Sequence, residues 1–181
     1  GMALLLLLVV GGSVLNALDK RMAQLDQQAR RDLRVHSTHI ARMASEGWDS
    51  SRGLVETDLA QEATDPRTEV VMLLDETGRV LAANHYAWRG RPVAEVMPEF
   101  DLKRFTTAKA GRLPIVYDLT PDRTRIAAMQ PFSLADDPQR VRSQHTGVVY
   151  ISFDLVRERQ LMRLFVFKAR APDIAGTMLL L

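Results

Sequence analysis

Val70-Val71-Met72-Leu73-Leu74-Asp75-Glu76-Thr77-Gly78-Arg79-Val80-Leu81-Ala82-Ala83 is the stretch on which the fold turns. Its first five residues are apolar on both faces, as a strand inside a covered sheet must be. Asp75 and Gly78 then supply turn chemistry. An aspartate carboxylate accepts from backbone N–H groups two residues on, and glycine adopts the positive φ that a Cβ resists. Apolar character returns at once at Val80, so the segment predicts a β-hairpin.

On the C-terminal side, His85 to Arg91 is a loop rich in rings and cations, followed by a helical turn near Val93 to Met97. Asp101 is placed to cap a helix from about Leu102 to Ala110, which Gly111 ends. Leu113 to Asp118 and Thr124 to Phe132 form a second hairpin around Pro121-Asp122. Gly147 to Phe153 gives a fifth strand, with Asp154 placed to cap a terminal helix. The predicted class is α+β, a five-stranded antiparallel sheet with a long N-terminal helix and a C-terminal exit helix.

On the N-terminal side, Asp49, Ser50 or Ser51 can cap a helix that runs to about Ala63 and stops at Asp65-Pro66. Before it, Leu18, Met22, Leu25, Ala29, Leu33, His36, Ile40 and Met43 recur in steps of 4, 3, 4, 4, 3, 4 and 3, with no Pro or Gly until Gly47. That stripe belongs to one long helix, packed either on a second copy as a dimer stalk or on its own domain. Met2 to Leu18 carries no charge and spans roughly 26 Å at about 1.5 Å per residue, the composition of a membrane anchor. Residues 174–181 are again uncharged and apolar, either the start of a second span or a buried terminal element. The expected divisions are a transmembrane helix at 1–18, a helical stalk at 19–47, a sensor domain at 48–156, and an exit helix leading into a second span at 157–181. Basic residues flank both apolar ends, yet long domains translocate largely regardless of charge, so that bias does not assign a side.

The 181 residues are 46% hydrophobic and 25% charged, which suits one domain plus helical extensions. The absence of cysteine excludes disulfides, thiol catalysis and Cys-ligated metals. With 24 basic against 22 acidic residues, no nucleic-acid partner is predicted. No phosphate loop, dinucleotide fingerprint, zinc-protease helix or nucleophile elbow is present, so the chain itself is not expected to be an enzyme and no cofactor is expected.

The order of apolar anchor, long helix, "VVMLLDETGRVLAAN", "WRGRPVAEVMPEFD", later strands and "GVVYISFDL" leading into an exit helix resembles the extracytoplasmic PAS-like sensor domains called Cache or PDC domains. Those belong to bacterial histidine kinases, chemoreceptors and diguanylate cyclases. The resemblance implies an input domain in the periplasm, anchored in the inner membrane, paired as a homodimer through its N-terminal helix. It also implies a cytoplasmic output that follows the second span. Wording around "GRVLAANHYAWRGRPVAEV" is most similar to sensors joined to diguanylate cyclases, with histidine kinases and chemoreceptors as alternatives. A membrane-tethered scaffold that binds another protein is the alternative from a different class.

A ligand pocket is expected at His85, Tyr86, Trp88, Arg89 and Arg91, with Tyr117, Arg125, Gln130 and Tyr150 placed to line it from later strands. Rings supply desolvated contact area, and guanidinium groups grip a carboxylate or phosphate in two-point fashion, which suits a small organic anion. The competing reading makes Trp88 a core plug and the arginines solvated surface. Asp32, His36 and His39 share a helical face at i, i+4 and i+7, but without a further ligand they read as interfacial or solvated groups rather than a metal site. His145 and the acidic pairs Asp136-Asp137 and Asp75-Glu76 read as loop chemistry.

Overall fold

The computed structural model describes residues 2–48, 50–134 and 145–179, with the side chains of 2–7, 167 and 170–179 outside that description. Among the described residues no helix is long and apolar enough to cross a membrane. The first residues of the expected anchor, the expected second span at 174–181, Asp49 as a helix cap and the Asp136-Asp137 pair all fall outside the described side chains. Among the described residues eleven elements follow one another. They are α1 (Met2–Gly47), α2 (Arg52–Glu62), β1 (Thr68–Leu74), β2 (Val80–Ala83), a 3₁₀ turn (Tyr86–Trp88), α3 (Val93–Val96), α4 (Leu102–Ala110), β3 (Ile115–Asp118), β4 (Arg125–Leu134), β5 (His145–Asp154) and α5 (Val156–Leu179). They form two compact units, Arg30–Asp154 and the pair of segments Gly1–Ala29 and Leu155–Leu181.

In the larger unit the strands form one antiparallel sheet in the order β2-β1-β5-β4-β3. The first hairpin closes as its sequence requires. The Asp75 carboxylate accepts from the Thr77 and Arg79 N–H groups at 2.8 and 2.9 Å, and Gly78 sits at φ +83°. The second hairpin turns at Pro121-Asp122, but its left-handed residue is Arg123, at φ 58°. Asp122 accepts from the Thr124 N–H and hydroxyl at 3.1 and 2.8 Å, which holds that backbone in place.

Strand alternation divides the interior into two layers. Val70, Met72, Leu74, Val148 and Tyr150 face α3 and α4 and join one apolar cluster with Met97, Phe100 and Phe105. Val71, Leu73, Val149, Ile151 and Phe153 face the other way and are fully buried. Phe153 meets the ring of His36 on α1 edge-on at 6.1 Å, and the Arg67 guanidinium lies 4.7 Å over its face. The stripe positions Leu33 and Ile40, and Ala44 beside the stripe, are buried within this unit, so over these residues α1 packs on its own domain. Arg67 ties α1 to the start of β1, binding Asp32 at 2.8 Å and the Asp65 carboxylate at 2.7 Å.

α4 is capped by Asp101, whose carboxylate accepts from the Arg104 N–H, and it ends at Gly111. α2 differs from expectation. Ser51 occupies its N-cap position without making a side-chain cap bond, and the helix is held instead by Val55 and Leu59, both buried. α5 also differs, because Asp154 closes β5 and Leu155 is the residue that precedes the helix. In the smaller unit, the Arg159 side chain of α5 reaches Asp26 of α1 at 3.5 Å, and Ala29, Leu155 and Val166 are buried.

Candidate functional site

The loop after β2 is short and constrained, and that decides where its side chains go. Gly90, at φ +77°, donates its N–H to the Val80 carbonyl at 2.7 Å, and Val80 in turn donates to the Arg91 carbonyl at 2.9 Å. The 3₁₀ turn between them sends alternate residues to different surroundings. Trp88 is half-buried against the apolar cluster beneath α3 and α4, with His85 stacked 4.3 Å from it. Tyr86 and Arg89 turn toward α2, and the Arg89 guanidinium lies 5.0 Å over the Tyr86 ring. Arg91 stays exposed and reaches Glu95 at 3.7 Å.

Between α2 and β2 this leaves a groove of about 340 Å³. Leu59 and Ala60 of α2, with Ala63 just after it, form one wall, Ala82 and Ala83 of β2, with Asn84 just after it, the other, and Tyr86 and Arg89 the rim, with Glu56 beside them. The walls are shallow because alanine dominates them, and the size suits a small molecule. Asn84 is committed to the fold, since its amide accepts from the Val71 N–H at 3.1 Å and donates to the Glu69 carbonyl at 3.2 Å. Arg89 Nη2 holds a carboxylate oxygen of Glu56 at 2.8 Å, while Arg89 Nε is buried with no hydrogen-bond partner among the described residues. A buried donor left without an acceptor costs about 1–3 kcal/mol, so this guanidinium is only half satisfied.

Tyr117, Arg125 and Tyr150 do not line the groove. Tyr150 is buried and packs against Phe100 at 5.4 Å; burial pushes its hydroxyl up to about 12. Tyr117 lies under the Arg104 guanidinium at 4.2 Å, and burial raises its hydroxyl further still. Arg125 grips Glu69 through Nε at 2.9 Å and Nη2 at 2.7 Å, and that carboxylate raises the guanidinium pKa. Gln130 is buried, and its Oε1 has no partner among the described residues. The face on which Tyr117, Arg125 and Tyr150 sit is filled by Met97, Phe100 and Phe105, whereas Gln130 stands opposite Val149 on the other face of the sheet.

Of the stalk residues, Asp32 serves Arg67, His36 Nδ1 meets the Glu62 carboxylate, and His39 is exposed. His145 begins β5 opposite Leu134 and pairs with Glu76, so it is a strand residue rather than a loop one. The residue that the sequence did not single out is Glu56. Its only sequence signal is Arg52 four positions earlier, an ordinary helix-surface pair.

The fold, a five-stranded antiparallel sheet ordered 2-1-5-4-3 and flanked by helices, has its like among solved structures. Two solved structures carry that likeness. An extracellular ligand-binding receptor from Desulfohalobium retbaense superimposes with a TM-score of 0.55 at 11% identity, over 78% of this chain and 26% of the receptor. The sensor domain of the histidine kinase DctB from V. cholerae superimposes with a TM-score of 0.51 at 16% identity, over 83% of this chain and 57% of that one. The chain thus spans about a quarter of the first relative and just over half of the second. No protein-family profile matches the sequence, and no curated protein matches it.

Proposed function

We propose that this chain is the ligand-sensing input domain of a membrane-bound bacterial signalling protein. It lies in the periplasm, between an anchor at 1–18 and a second span that begins after the exit helix. The observation that carries the proposal is the groove between α2 and β2, where a single guanidinium with an unsatisfied buried donor stands over apolar walls. Such a place suits a small organic anion. The two structural relatives, an extracellular ligand-binding receptor and a histidine kinase sensor domain, support the same direction. The output is a cytoplasmic catalytic domain, of diguanylate cyclase type by resemblance, with histidine kinase and chemoreceptor outputs as alternatives, and the working form is a homodimer through α1. Since Leu33, Ile40 and Ala44 are taken up by the domain itself, that pairing falls to other faces of the helix. Ligand acts by population shift, favouring one arrangement of α1 on the sheet, and only differential affinity for the two arrangements moves the balance.

Purified chain screened by thermal shift against small carboxylates, phosphates and uncharged analogues tests this. Anions are expected to raise the melting temperature, Arg89→Ala to remove the gain, and Arg91→Ala to keep it. Equal stabilisation by neutral analogues, or retention in Arg89→Ala, rejects the groove. The close packing of Met97, Phe100, Phe105 and Tyr150 favours the second reading, a scaffold whose interior is filled by its own side chains. A chain that no small molecule stabilises, yet which captures a periplasmic protein, fits the scaffold instead.

A further inference from the structure

Taking the groove as the ligand site proposed above, its chemistry can be narrowed from anion to a particular kind. Among the described residues Arg89 is the only cation lining it; the rest of the lining is Glu56, Leu59, four alanines, the Tyr86 ring and Asn84, whose amide is already bonded to Val71 and Glu69. A second carboxylate on the ligand would lie against methyl groups with no second cation among the described lining residues to receive it. Glu56 already shows what fits the guanidinium, a carboxylate at 2.8 Å from Nη2. Its grip is one-sided, because Nε of the same guanidinium is buried with no partner among the described residues. Glu56 also has somewhere else to go. Arg52 Nε stands 3.3 Å from the same carboxylate oxygen, and the Arg52 guanidinium lies 4.5 Å over the ring of Trp48, directly after the last residue of α1.

We propose that Glu56 is an internal stand-in for the ligand, and that the ligand is a monocarboxylate with an apolar body that displaces it from Arg89. The incoming carboxylate spans Nε and Nη2 and so satisfies the donor that Glu56 leaves orphaned, while the apolar body covers Ala60, Ala63, Ala82 and Ala83. Glu56, released, pairs with Arg52 alone. Arg52 then shifts over Trp48, which carries the occupancy of the groove to the end of the long helix. No bond forms or breaks, so the exchange is reversible and set by ligand concentration.

Calorimetry on the 181-residue chain with hexanoate and benzoate as probes, and their amides as controls, tests the exchange. Glu56→Gln keeps the shape and a hydrogen-bonding oxygen but removes the competing charge. Its expected effect is affinity for both acids raised about fivefold, the scale of one half-exposed ion pair. Arg89→Ala is expected to lose roughly tenfold or more. In a chain carrying Trp88→Phe, where Trp48 is the sole remaining tryptophan, hexanoate is expected to shift the emission, and the added change Arg52→Ala to abolish that shift. Acids that bind the wild type and Glu56→Gln equally well would overturn the exchange while leaving the groove as the ligand site. A Trp48 emission indifferent to bound hexanoate would overturn the relay. Failure of both acids to bind either chain would overturn the groove together with the exchange.

Discussion

Gly147 faces Phe132 across the β4–β5 ladder so closely that a methyl group has no place there. A Cβ added at Gly147 would stand 2.5 Å from two ring carbons of Phe132 and 2.6 Å from the Leu74 carbonyl oxygen. The ring could turn, but the carbonyl belongs to the β1–β5 ladder and cannot move without breaking it. Gly147→Ala is therefore expected to cost about 2–4 kcal/mol, read as a lowered urea midpoint with an unchanged slope. Gly78→Ala, where the strain is only a positive φ, should cost about 1 kcal/mol. The two glycines differ in legibility for the same reason. Gly78 follows Asp-Glu-Thr and announces a turn, whereas Gly147 is dictated by a neighbour fifteen positions away, which no local pattern reveals. Arg89 was visible as a cation among rings. Its partner Glu56 was not, because a glutamate four residues after an arginine on a helix looks the same whether or not a third residue comes to meet it.

At the scale of elements, the hairpins and α4 were legible because their ends carry their own chemistry. Asp101 is the clearest example. Its carboxylate accepts the Arg104 N–H at 2.9 Å and the Arg104 Nε at 2.8 Å, and these hold its pKa below the ordinary 3.8, the backbone bond contributing most. Asp65 is lowered in the same way by the Arg67 side chain. Both carboxylates ionise more readily folded than unfolded, so their stabilisation is complete above 3.8 and lost as pH falls through the folded values. Urea midpoints measured between neutral pH and about pH 3 should therefore fall on acidification. Asp101→Asn should flatten part of that fall while keeping most of the neutral-pH stability, since asparagine also caps. An unchanged pH slope in Asp101→Asn would mean that the Asp101 carboxylate has no part in the acid sensitivity. α2 and the 85–91 loop were less legible. α2 has no side-chain cap, and the outward or inward aim of Tyr86, Trp88 and Arg89 depends on Gly90 closing back onto Val80, a contact between elements rather than within one.

Across the whole molecule, the stripe on α1 shows how far periodicity reaches. Leu33 and Ile40 are buried as the stripe requires, while Met43 is only half-buried and Ser37, Ala41 and Ala44 beside the stripe are buried instead; nor does a stripe say what buries it, because a partner helix and the domain's own sheet demand the same residues. Within the larger unit the sheet claims Leu33, Ile40 and Ala44, and Arg67 adds a polar clamp to Asp32 beside the ring of Phe153. Under the proposed function α1 has to be held firmly enough to be placed and loosely enough to shift, and Arg67 is a contact that can be weakened without hollowing the core. Arg67→Met keeps an apolar chain over Phe153 and removes the charge that Asp32 and Asp65 share. If α1 is a separately opening layer on the sheet, amides of residues 30–44 should exchange with solvent roughly tenfold faster in this variant, equal to about 1.4 kcal/mol of local stability. Amides of α4, which packs against β4 and β5, should be unaffected. Faster exchange spread evenly over α1, the sheet and α4 would mean that the domain opens as one body, and a signal could not then travel by α1 moving over a fixed sheet.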